Sequence, residues 1–305
     1  MNSHSDPADD ILLARAHLSR AAESDPQVLA ALVARVGPVE ASNMVRCGEV
    51  ALSVANVPSA REAQDRAHQD LELITARGGR LITPEHAEWP HRAFAKPADA
   101  GNGETGEGEP LALWVRGPHH LPDAVDNAVA VIGSRAASAY GEHVASEFGY
   151  GLAQQGMTVV SSAGYGIDGA AHRGAQQAKG IAVAVLPCAA DVAYPAGQHG
   201  LLSRIARDGL IVSQHPPGIT PARHRFITKN RLIAALSAGT VVVEAGLRSG
   251  ARNAAAITVE LGRVLMAVPG PITSSTSLGC LELIRDGHAT PVGSVAHIVE
   301  SMQNT

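Results

Sequence analysis

The stretch AVAVIGSRAASAYG, residues 128–141, indicates how this chain folds. Its first five residues are small or β-branched and apolar without alternation, which is typical of a strand buried on both faces of a parallel sheet. Gly133 and Ser134 then turn the chain, and Ser138 is the expected N-cap of a following helix. The stretch therefore predicts a strand, a sharp turn and a helix. Arg135 is left at the carboxyl end of the strand, where open α/β sheets keep their ligand crevice.

The turn itself has two interpretations. The backbone N–H groups of a Gly-Ser turn beside a helix N-terminus can bind an anion, and Arg135 adds a forked positive charge. The turn would then be a phosphate-binding loop. A plain strand-to-helix turn with a solvated arginine fits this stretch equally well, so the rest of the chain has to decide between the two.

The same alternation of strands and helices continues after this first unit. Strands are predicted at 128–132, 157–162, 181–186, 209–213, 240–245 and 264–268, and helices at about 138–155, 168–179, 197–207, 229–238, 250–262 and 278–285. This alternation predicts an α/β fold with a mostly parallel, Rossmann-like sheet and helices on both of its faces. A further strand, LALWVRG at 111–117, leads into the sheet, so we assign residues 111–305 to this domain.

A small helical domain is expected to precede the sheet, over residues 1–79. Apolar residues at helical spacing predict helices at 9–22, 26–36, 39–46 and 60–77. Because no basic residues repeat along one helix face, we interpret this domain as a protein-contact or packing module. Residues 80–110 are interpreted as a linker, with a short strand at 80–83 and a flexible, acidic, Gly-rich loop at 97–110.

The composition excludes several classes of protein. No run of 18 apolar residues occurs and the first ten residues are polar, so we expect no membrane span, no signal peptide and a cytoplasmic location. The 3 cysteines are far apart and are expected to be reduced thiols. The 14 histidines form neither an HxxxH nor an HExxH pattern, so we expect no metal site.

The net charge of −5 conceals a strong asymmetry along the chain. Residues 1–127 carry 11 Lys/Arg and 19 Asp/Glu, a net charge of −8, whereas residues 128–290 carry 13 and 9, a net charge of +4. Within 223–252 there are six basic residues and a single acid, Glu244. An acidic arm joined to a basic patch indicates a charged partner.

The basic stretch RHRFITKNR, residues 223–231, has one aromatic ring among four cations and an amide. Phosphates attract Arg and Lys, and an unpaired base stacks on an aromatic or guanidinium face. The stretch immediately precedes the apolar helix segment LIAALS, so it is expected at the same sheet edge as Arg135. Arg248, Ser249 and Gly250 follow another strand at that edge. Together these loops predict a groove for a phosphate backbone, although a solvated charged face is the common alternative for such a run.

Two other patterns have functional interpretations that we do not favour. GYGIDG at 164–169 matches the GxGxxG dinucleotide fingerprint, but it follows the second strand of the series, and Asp168 is better placed as a helix N-cap. Asp168 and His172 are four residues apart and suggest an acid–base pair, yet no Ser or Cys nucleophile follows a strained elbow. We therefore expect no dinucleotide or other cofactor and no catalysis.

Six segments, in this order, carry a family resemblance: VIGSRAASAYG (131–141), SSAGYGID with AAH (161–172), AVLPCAADVAYP (184–195), FITKNRLIAALS (226–237), VVVEAGLRSGARNAAA (241–256) and AVPGPITSSTSLGCLELIRDG (267–287). With them, the chain from Leu111 to about Pro291 resembles the DNA-processing protein A (DprA/Smf) family. The resemblance implies a Rossmann-like protein that binds single-stranded DNA and is not an enzyme. It further implies protection of incoming DNA in natural transformation, loading of the recombinase RecA, and a homodimer.

The resemblance also assigns roles by position. The turn at 133–135 would hold backbone phosphate, and Phe226 would stack on a base. Lys229, Asn230 and Arg231 would fix phosphates and the groove wall. The full set of predicted DNA-binding residues is Gly133, Ser134, Arg135, Gly164, Arg225, Phe226, Lys229, Asn230, Arg231, Arg248, Ser249 and Gly250.

The chain departs from the family pattern in several loops. Ser162 replaces a glycine of SGGAxGID, and FPxRNR becomes FITKNR, with Ile227 and Lys229 in place of Pro and Arg. Gln214 replaces the usual Glu before the PPG segment. We expect these changes to affect affinity for DNA, because lysine cannot make the forked contact of arginine.

The alternative function is that of a nucleotide-processing enzyme. Phosphoribohydrolases of the related lysine-decarboxylase-like group share the fold and carry a PGGxGTxxE signature with a catalytic Glu. Here Glu244 follows Gly239 and Thr240, but no PGG precedes them. The sequence therefore lacks the PGG loop that the enzyme interpretation requires.

Overall fold

The strand predicted at 128–132 forms within those bounds and lies inside a nine-stranded sheet. The computed structural model describes residues 7–22, 26–50, 60–95 and 109–303. In chain order the strands are β1 (Gly79–Ile82), β2 (Leu113–Arg116), β3 (Ala128–Ile132), β4 (Thr158–Ser161), β5 (Ala182–Val185), β6 (Leu210–Ser213), β7 (Gly239–Val242), β8 (Val264–Ala267) and β9 (Thr290–Pro291).

The strand order reverses between β3 and β7. The strands lie in the order β1-β2-β6-β5-β4-β3-β7-β8-β9. β1, β2 and β6 pair antiparallel, and all pairs from β6 to β9 are parallel. The chain runs outward from β3 through β4, β5 and β6, and then returns to place β7 on the other side of β3. This reversal makes the carboxyl ends of β3 and β7 the topological switch point, where ligands bind in open α/β sheets.

Thirteen α-helices form in the described part of the chain. In chain order they are α1 (Pro7–Ala21), α2 (Pro26–Val36), α3 (Pro38–Arg46), α4 (Ala60–Ala76), α5 (His91–Phe94), α6 (Leu121–Val125), α7 (Ala139–Gln154), α8 (Ile167–Gln177), α9 (His199–Asp208), α10 (Arg225–Ala235), α11 (Gly250–Glu260), α12 (Leu278–Arg285) and α13 (Val295–Gln303). None of these helices has the length and hydropathy of a membrane span.

Helices cover both faces of the sheet, as the alternating pattern predicts. Val129 and Val131 of β3 pack on one face with apolar residues of α1, α4, α7, α8, α9 and α13. Ala130 and Ile132 of the same strand face the opposite core, which α6, α10, α11 and α12 cover. Since consecutive strand residues point to opposite faces, an apolar run without alternation can fill both cores. The predicted α/β, Rossmann-like architecture is confirmed.

The four N-terminal helices form at the predicted positions and pack on the sheet at β2. A small core of their own joins α1, α2 and α3, formed by Leu18, Leu29, Leu32, Ala41 and Val45, whereas Ala67 and Ile74 of α4 pack in the core of the sheet. The buried Trp114 of β2 donates its indole N–H to the hydroxyl of Ser19 in α1, 3.3 Å away. Arg20 of α1 pairs at 2.7 Å with Asp70 of α4, whose side chain is buried. The helical module is therefore fixed to the sheet by packing and by hydrogen bonds.

Two element boundaries differ from the predictions. The short strand predicted at 80–83 forms at Gly79–Ile82, but it is an edge strand of the main sheet, so the α/β layer begins before residue 111. α10 begins at Arg225, four residues before the predicted start at 229. The Gly-rich loop predicted at 97–110 falls almost entirely outside the described residues.

Glycines allow α7 and α8 to approach each other closely. A Cβ added to Gly174 in α8 would overlap the carbonyl oxygen of Ser146 in α7. A Cβ added to Gly149 in α7 would in turn overlap the carbonyl oxygen of Ala171 in α8. Both obstacles are backbone atoms, which cannot rotate away, so the helices would have to move apart.

Gly174→Ala is expected to lower the free energy of unfolding by about 3 kcal/mol, because overpacking forces backbone shifts. Gly200→Ala in the first turn of α9 is the matched control, since the nearest atom to its Cβ is the end of the Arg204 side chain at 3.9 Å. Better helix propensity should leave this control as stable as the parent or slightly more stable. Urea unfolding measures both variants, and equal loss in the two would contradict the close crossing.

Three buried histidines make folding sensitive to pH. Burial is the main cause that lowers the pKa of His17, His172 and His215 from 6.5 to about 4. Between these two pKa values the unfolded chain binds more protons than the folded protein does. Their contribution to stability is therefore complete above about pH 6.5 and is lost as the pH falls toward 4.

We expect the free energy of unfolding to fall when the pH is lowered from 7.5 to 5, by up to about 2 kcal/mol for each buried histidine. His172→Gln should reduce this pH dependence, whereas His199→Gln, at an exposed position in α9, should not. Chemical denaturation at the two pH values measures the difference. An unchanged pH dependence in His172→Gln would show that this ring is protonated equally in both states.

Candidate nucleic-acid interface

The turn that follows β3 is held by hydrogen bonds within the protein. The N–H of Gly133 donates to a carboxylate oxygen of Asp168 at 3.2 Å, and the N–H of Ser134 donates to the carbonyl oxygen of Glu244 at 2.8 Å. The sequence predicts that these two N–H groups are free to bind an anion, and this prediction is wrong because both already have partners. Arg135 is exposed at the end of the turn, and its guanidinium supplies the positive charge of the turn.

Glu244 connects three loops at the carboxyl edge of the sheet. Its carboxylate accepts hydrogen bonds from the N–H of Ser138 at 2.9 Å, the hydroxyl of Ser138 at 2.6 Å and the hydroxyl of Thr276 at 3.1 Å. Ser138 follows β3 and caps α7 as predicted, and Thr276 follows β8. Glu244 is 3% exposed, and its carboxylate holds the three loops together.

Asp168 holds the same turn from the other side. The sequence predicts Asp168 as the N-cap of α8, but the helix begins at Ile167 with Gly166 as N-cap, and Asp168 lies in the first turn. Its carboxylate accepts hydrogen bonds from Gly133 and from the hydroxyl of Ser162. The suggested acid–base pair is not supported, because no hydrogen bond joins Asp168 to His172 among the described residues.

A buried carboxylate and a buried ammonium oppose each other beneath the cleft. Burial raises the pKa of Asp168, and the positive charge of Lys229 acts against this rise. Burial likewise lowers the pKa of Lys229, and the charge of Asp168 acts against that change. The two groups therefore offset part of each other's desolvation cost.

The loops after β3, β4 and β5 and the first turns of α10 enclose a cleft of about 390 Å³, open mouth included, at the carboxyl edge of the sheet. It is lined by Arg135, Ser162, Ala163, Gly164, Tyr165, Pro187, Tyr194, Pro195, Phe226 and Lys229. Two of these residues are cations and three are aromatic. Such a lining suits a ligand that has both negative charge and a flat ring.

The ring of Phe226 organises the charges of the cleft. The guanidinium carbon of Arg135 lies 4.8 Å from its centroid, and Nζ of Lys229 lies 5.7 Å from it. Tyr194 meets the same ring edge-on, with 6.0 Å between centroids. Both cations are within the range of a cation–π attraction, so the ring holds them at one place.

The structure brings four of the predicted residues to the cleft: Arg135, Gly164, Phe226 and Lys229. The basic stretch is predicted to precede the helix, but its residues 225–231 form the first two turns of α10. Residues three apart share a helix face, so Phe226 and Lys229 reach the cleft together. Their neighbours Asn230 and Arg231 necessarily point elsewhere.

The other predicted residues of the groove join α10 to α11 or hold a helix end. The amide of Asn230 donates to the carbonyl oxygen of Gly250 at 3.3 Å. Arg231 forms an ion pair with Glu260 at 2.8 Å. Ser249 is the N-cap of α11, and the exposed Arg248 precedes it outside the cleft. These residues lie beside the cleft instead of lining it.

Arg225 is buried, and its guanidinium donates to the carbonyl oxygen of Thr220. The sequence missed Tyr165 and Tyr194, which line the cleft. Both lie in irregular segments, where no periodic pattern indicates the direction of a side chain. Tyr165 had one signal: it is a large aromatic residue between two glycines, in the loop that follows a strand. Within the described residues, no group of three or more His, Cys, Asp or Glu side chains is placed to hold a metal ion.

Known proteins share this sequence and architecture. A putative DNA processing protein DprA of Mycobacterium tuberculosis H37Rv is 54% identical over 280 residues, which cover 92% of this chain and 72% of the relative. Protein Smf of Escherichia coli K12 is 39% identical over 196 residues, or 64% of this chain and 51% of that protein. The chain thus spans about half to three quarters of these relatives.

Two solved structures are similar over most of this chain. DNA processing protein A of Streptococcus pneumoniae has a TM-score of 0.71 at 26% identity, covering 95% of this chain and 97% of that one. DNA processing protein A of Helicobacter pylori, described for its single-stranded DNA binding mode, has a TM-score of 0.62 at 26% identity and covers 73% and 96%.

The family model of DNA recombination-mediator protein A matches residues 80–303, which include every strand of the sheet from β2 onward and both loops that form the switch point. This match confirms the resemblance carried by the six sequence segments. The chain belongs to the DNA recombination-mediator protein A family, also called DprA or Smf.

Proposed function

We propose that this chain binds single-stranded DNA at the cleft and acts as a recombination mediator. The observation that carries the proposal is the convergence of Arg135 and Lys229 on the ring of Phe226, at the carboxyl edge of the sheet. Cations beside aromatic rings are the groups that bind a strand whose bases are unpaired. The single-stranded DNA binding of the H. pylori relative supports the same ligand.

The proposed contacts do not depend on DNA sequence. Arg135 is exposed and would pair with a backbone phosphate, and the aromatic rings would pack on base faces. Neither contact reads the hydrogen-bonding edge of a base, so all sequences are bound alike. Duplex DNA hides its base faces within the stack, and we therefore expect it to bind more weakly.

Family membership supports two proposed steps after the strand is bound. Coverage would protect an incoming strand, and the strand would then pass to RecA. The protein would do this without catalysis, in the cytoplasm, as a homodimer built through the α/β domain. These steps concern the complete protein and its partners.

Arg135→Ala is expected to weaken binding of oligo-dT about tenfold and to reduce the slope of log affinity against log salt by about one unit, because one phosphate contact is lost. Arg207→Ala is the matched control. It removes the same charge from the end of α9, where Arg207 pairs at 2.6 Å with Asp208 directly before β6, at the opposite edge of the sheet. Fluorescence anisotropy at several salt concentrations measures both variants.

Arg231→Ala extends this test, since its partner Glu260 holds it outside the cleft. It should weaken binding less than Arg135→Ala does. If Arg135→Ala binds as well as Arg207→Ala in folded protein, then the cleft is not the DNA site.

The proposed function also predicts that Glu244 is structural and not catalytic. A phosphoribohydrolase would release free base from a nucleoside monophosphate such as AMP, and we expect no release above the blank. Glu244→Gln should retain DNA binding and lose about 1–3 kcal/mol of stability, because the amide keeps one acceptor oxygen and its NH₂ cannot accept the second hydrogen bond from Ser138. Base release that disappears in Glu244→Gln would instead establish the enzyme.

A further inference from the structure

The ring that the sequence assigns to base stacking already serves another purpose. Phe226 is half-buried, with the Arg135 guanidinium at 4.8 Å, Lys229 Nζ at 5.7 Å and the Tyr194 ring at 6.0 Å. A base that stacked on Phe226 would have to compete with these neighbours. It would displace the exposed cation that the same nucleotide needs for its phosphate.

Tyr165 offers a ring surface without such neighbours. It lines the same cleft and is 49% exposed. In the described part of the chain, no aromatic ring or cation packs against it. A large ring that remains half exposed beside two cations has the properties of a stacking platform.

The loop that carries Tyr165 is held on both sides. The N–H of Gly164 donates to the hydroxyl of Ser162 at 3.1 Å, and the carbonyl oxygen of Gly164 accepts from the amide of Gln198 at 3.0 Å. Gly166 follows with a φ of 68°, and a Cβ there would overlap the carbonyl oxygen of Ser134. The backbone on either side of Tyr165 is therefore fixed before any ligand arrives.

The far end of the ring is also in contact with protein. The phenol oxygen of Tyr165 lies against Gly197, where a Cβ would overlap it. A ring held at its backbone and at its hydroxyl loses little freedom when a base stacks on it. Preorganisation of this kind lowers the entropic cost of binding.

We propose that an unpaired base stacks on Tyr165, while Phe226 holds Arg135 and Lys229 in position for the phosphate of the same nucleotide. This inference rests on the proposed function of the cleft. It divides the site into a base subsite after β4 and a phosphate subsite formed by the loop after β3 and the first turns of α10. The ligand class is a single-stranded nucleotide unit with any base, since every base has a π face.

The test compares oligo-dT with an abasic oligonucleotide of the same length, by fluorescence anisotropy on the full chain. Tyr165→Ala should weaken oligo-dT binding about tenfold and leave abasic binding unchanged, so that the preference for bases disappears. Tyr165→Phe, which keeps the ring and loses only its hydroxyl contact, should bind oligo-dT more tightly than Tyr165→Ala does. Tyr150→Ala, at an exposed tyrosine of α7 that does not line the cleft, is the control and should change neither affinity.

A double-mutant cycle separates the two aromatic residues. Phe226→Ala should add little to Arg135→Ala, because both remove the same phosphate contact, whereas Tyr165→Ala should add its full effect. A parent protein that prefers oligo-dT, with a preference lost in Phe226→Ala and kept in Tyr165→Ala, would overturn this inference and leave the proposed function standing. If the parent binds neither oligonucleotide at low salt, the proposed function fails and this inference fails with it.

Discussion

Two buried carboxylates, those of Glu244 and Asp168, fix the turn on which the whole cleft depends. Taking a carboxylate out of water costs several kcal/mol unless hydrogen bonds replace the lost hydration. Here the replacement donors come from loops that are far apart in sequence: Ser138 and Thr276 for Glu244, and Gly133 for Asp168. The hydrogen bonds that offset the desolvation cost of each carboxylate therefore form only when the loops at the carboxyl edge of the sheet come together.

Because these hydrogen bonds occupy the backbone of the turn, an anion in the cleft would be bound by side chains. The N–H groups of Gly133 and Ser134 are committed to the fold, so the turn is not a phosphate loop of the usual kind. Lys229 is buried and its charge is partly offset by that of Asp168, which leaves Arg135 as the exposed charge of the cleft. A ligand in this cleft would meet one exposed cation and three aromatic rings, so stacking would contribute to its binding beside charge.

The sequence predicts the sheet better than it predicts the cleft. The buried strands are visible because apolar runs and glycine turns are local signals, and all six predicted parallel strands form within two or three residues of their expected ends. The start of α10 was not visible, because His224 at its N-cap makes no side-chain capping bond and carries no capping signal. Asp168 resembles a cap, but the positive φ of Gly166 starts α8 earlier. The direction of Tyr165 depends on tertiary contacts that no local pattern encodes.

The acidic half of the chain does not conflict with a polyanionic ligand. The N-terminal helices pack on the sheet at β2, with β1 beyond it at the edge, and β3 lies four strand positions from β2 and five from β1. At about 4.8 Å between neighbouring strands, Arg135, which follows β3, lies roughly 20 Å from β2 along the sheet. Such a separation exceeds the Debye length of about 8 Å at physiological salt, so exposed acidic side chains at β1 and β2 are largely screened from Arg135. A net charge of −5 is therefore compatible with an exposed cation at this end of β3, because screening limits the reach of each charge.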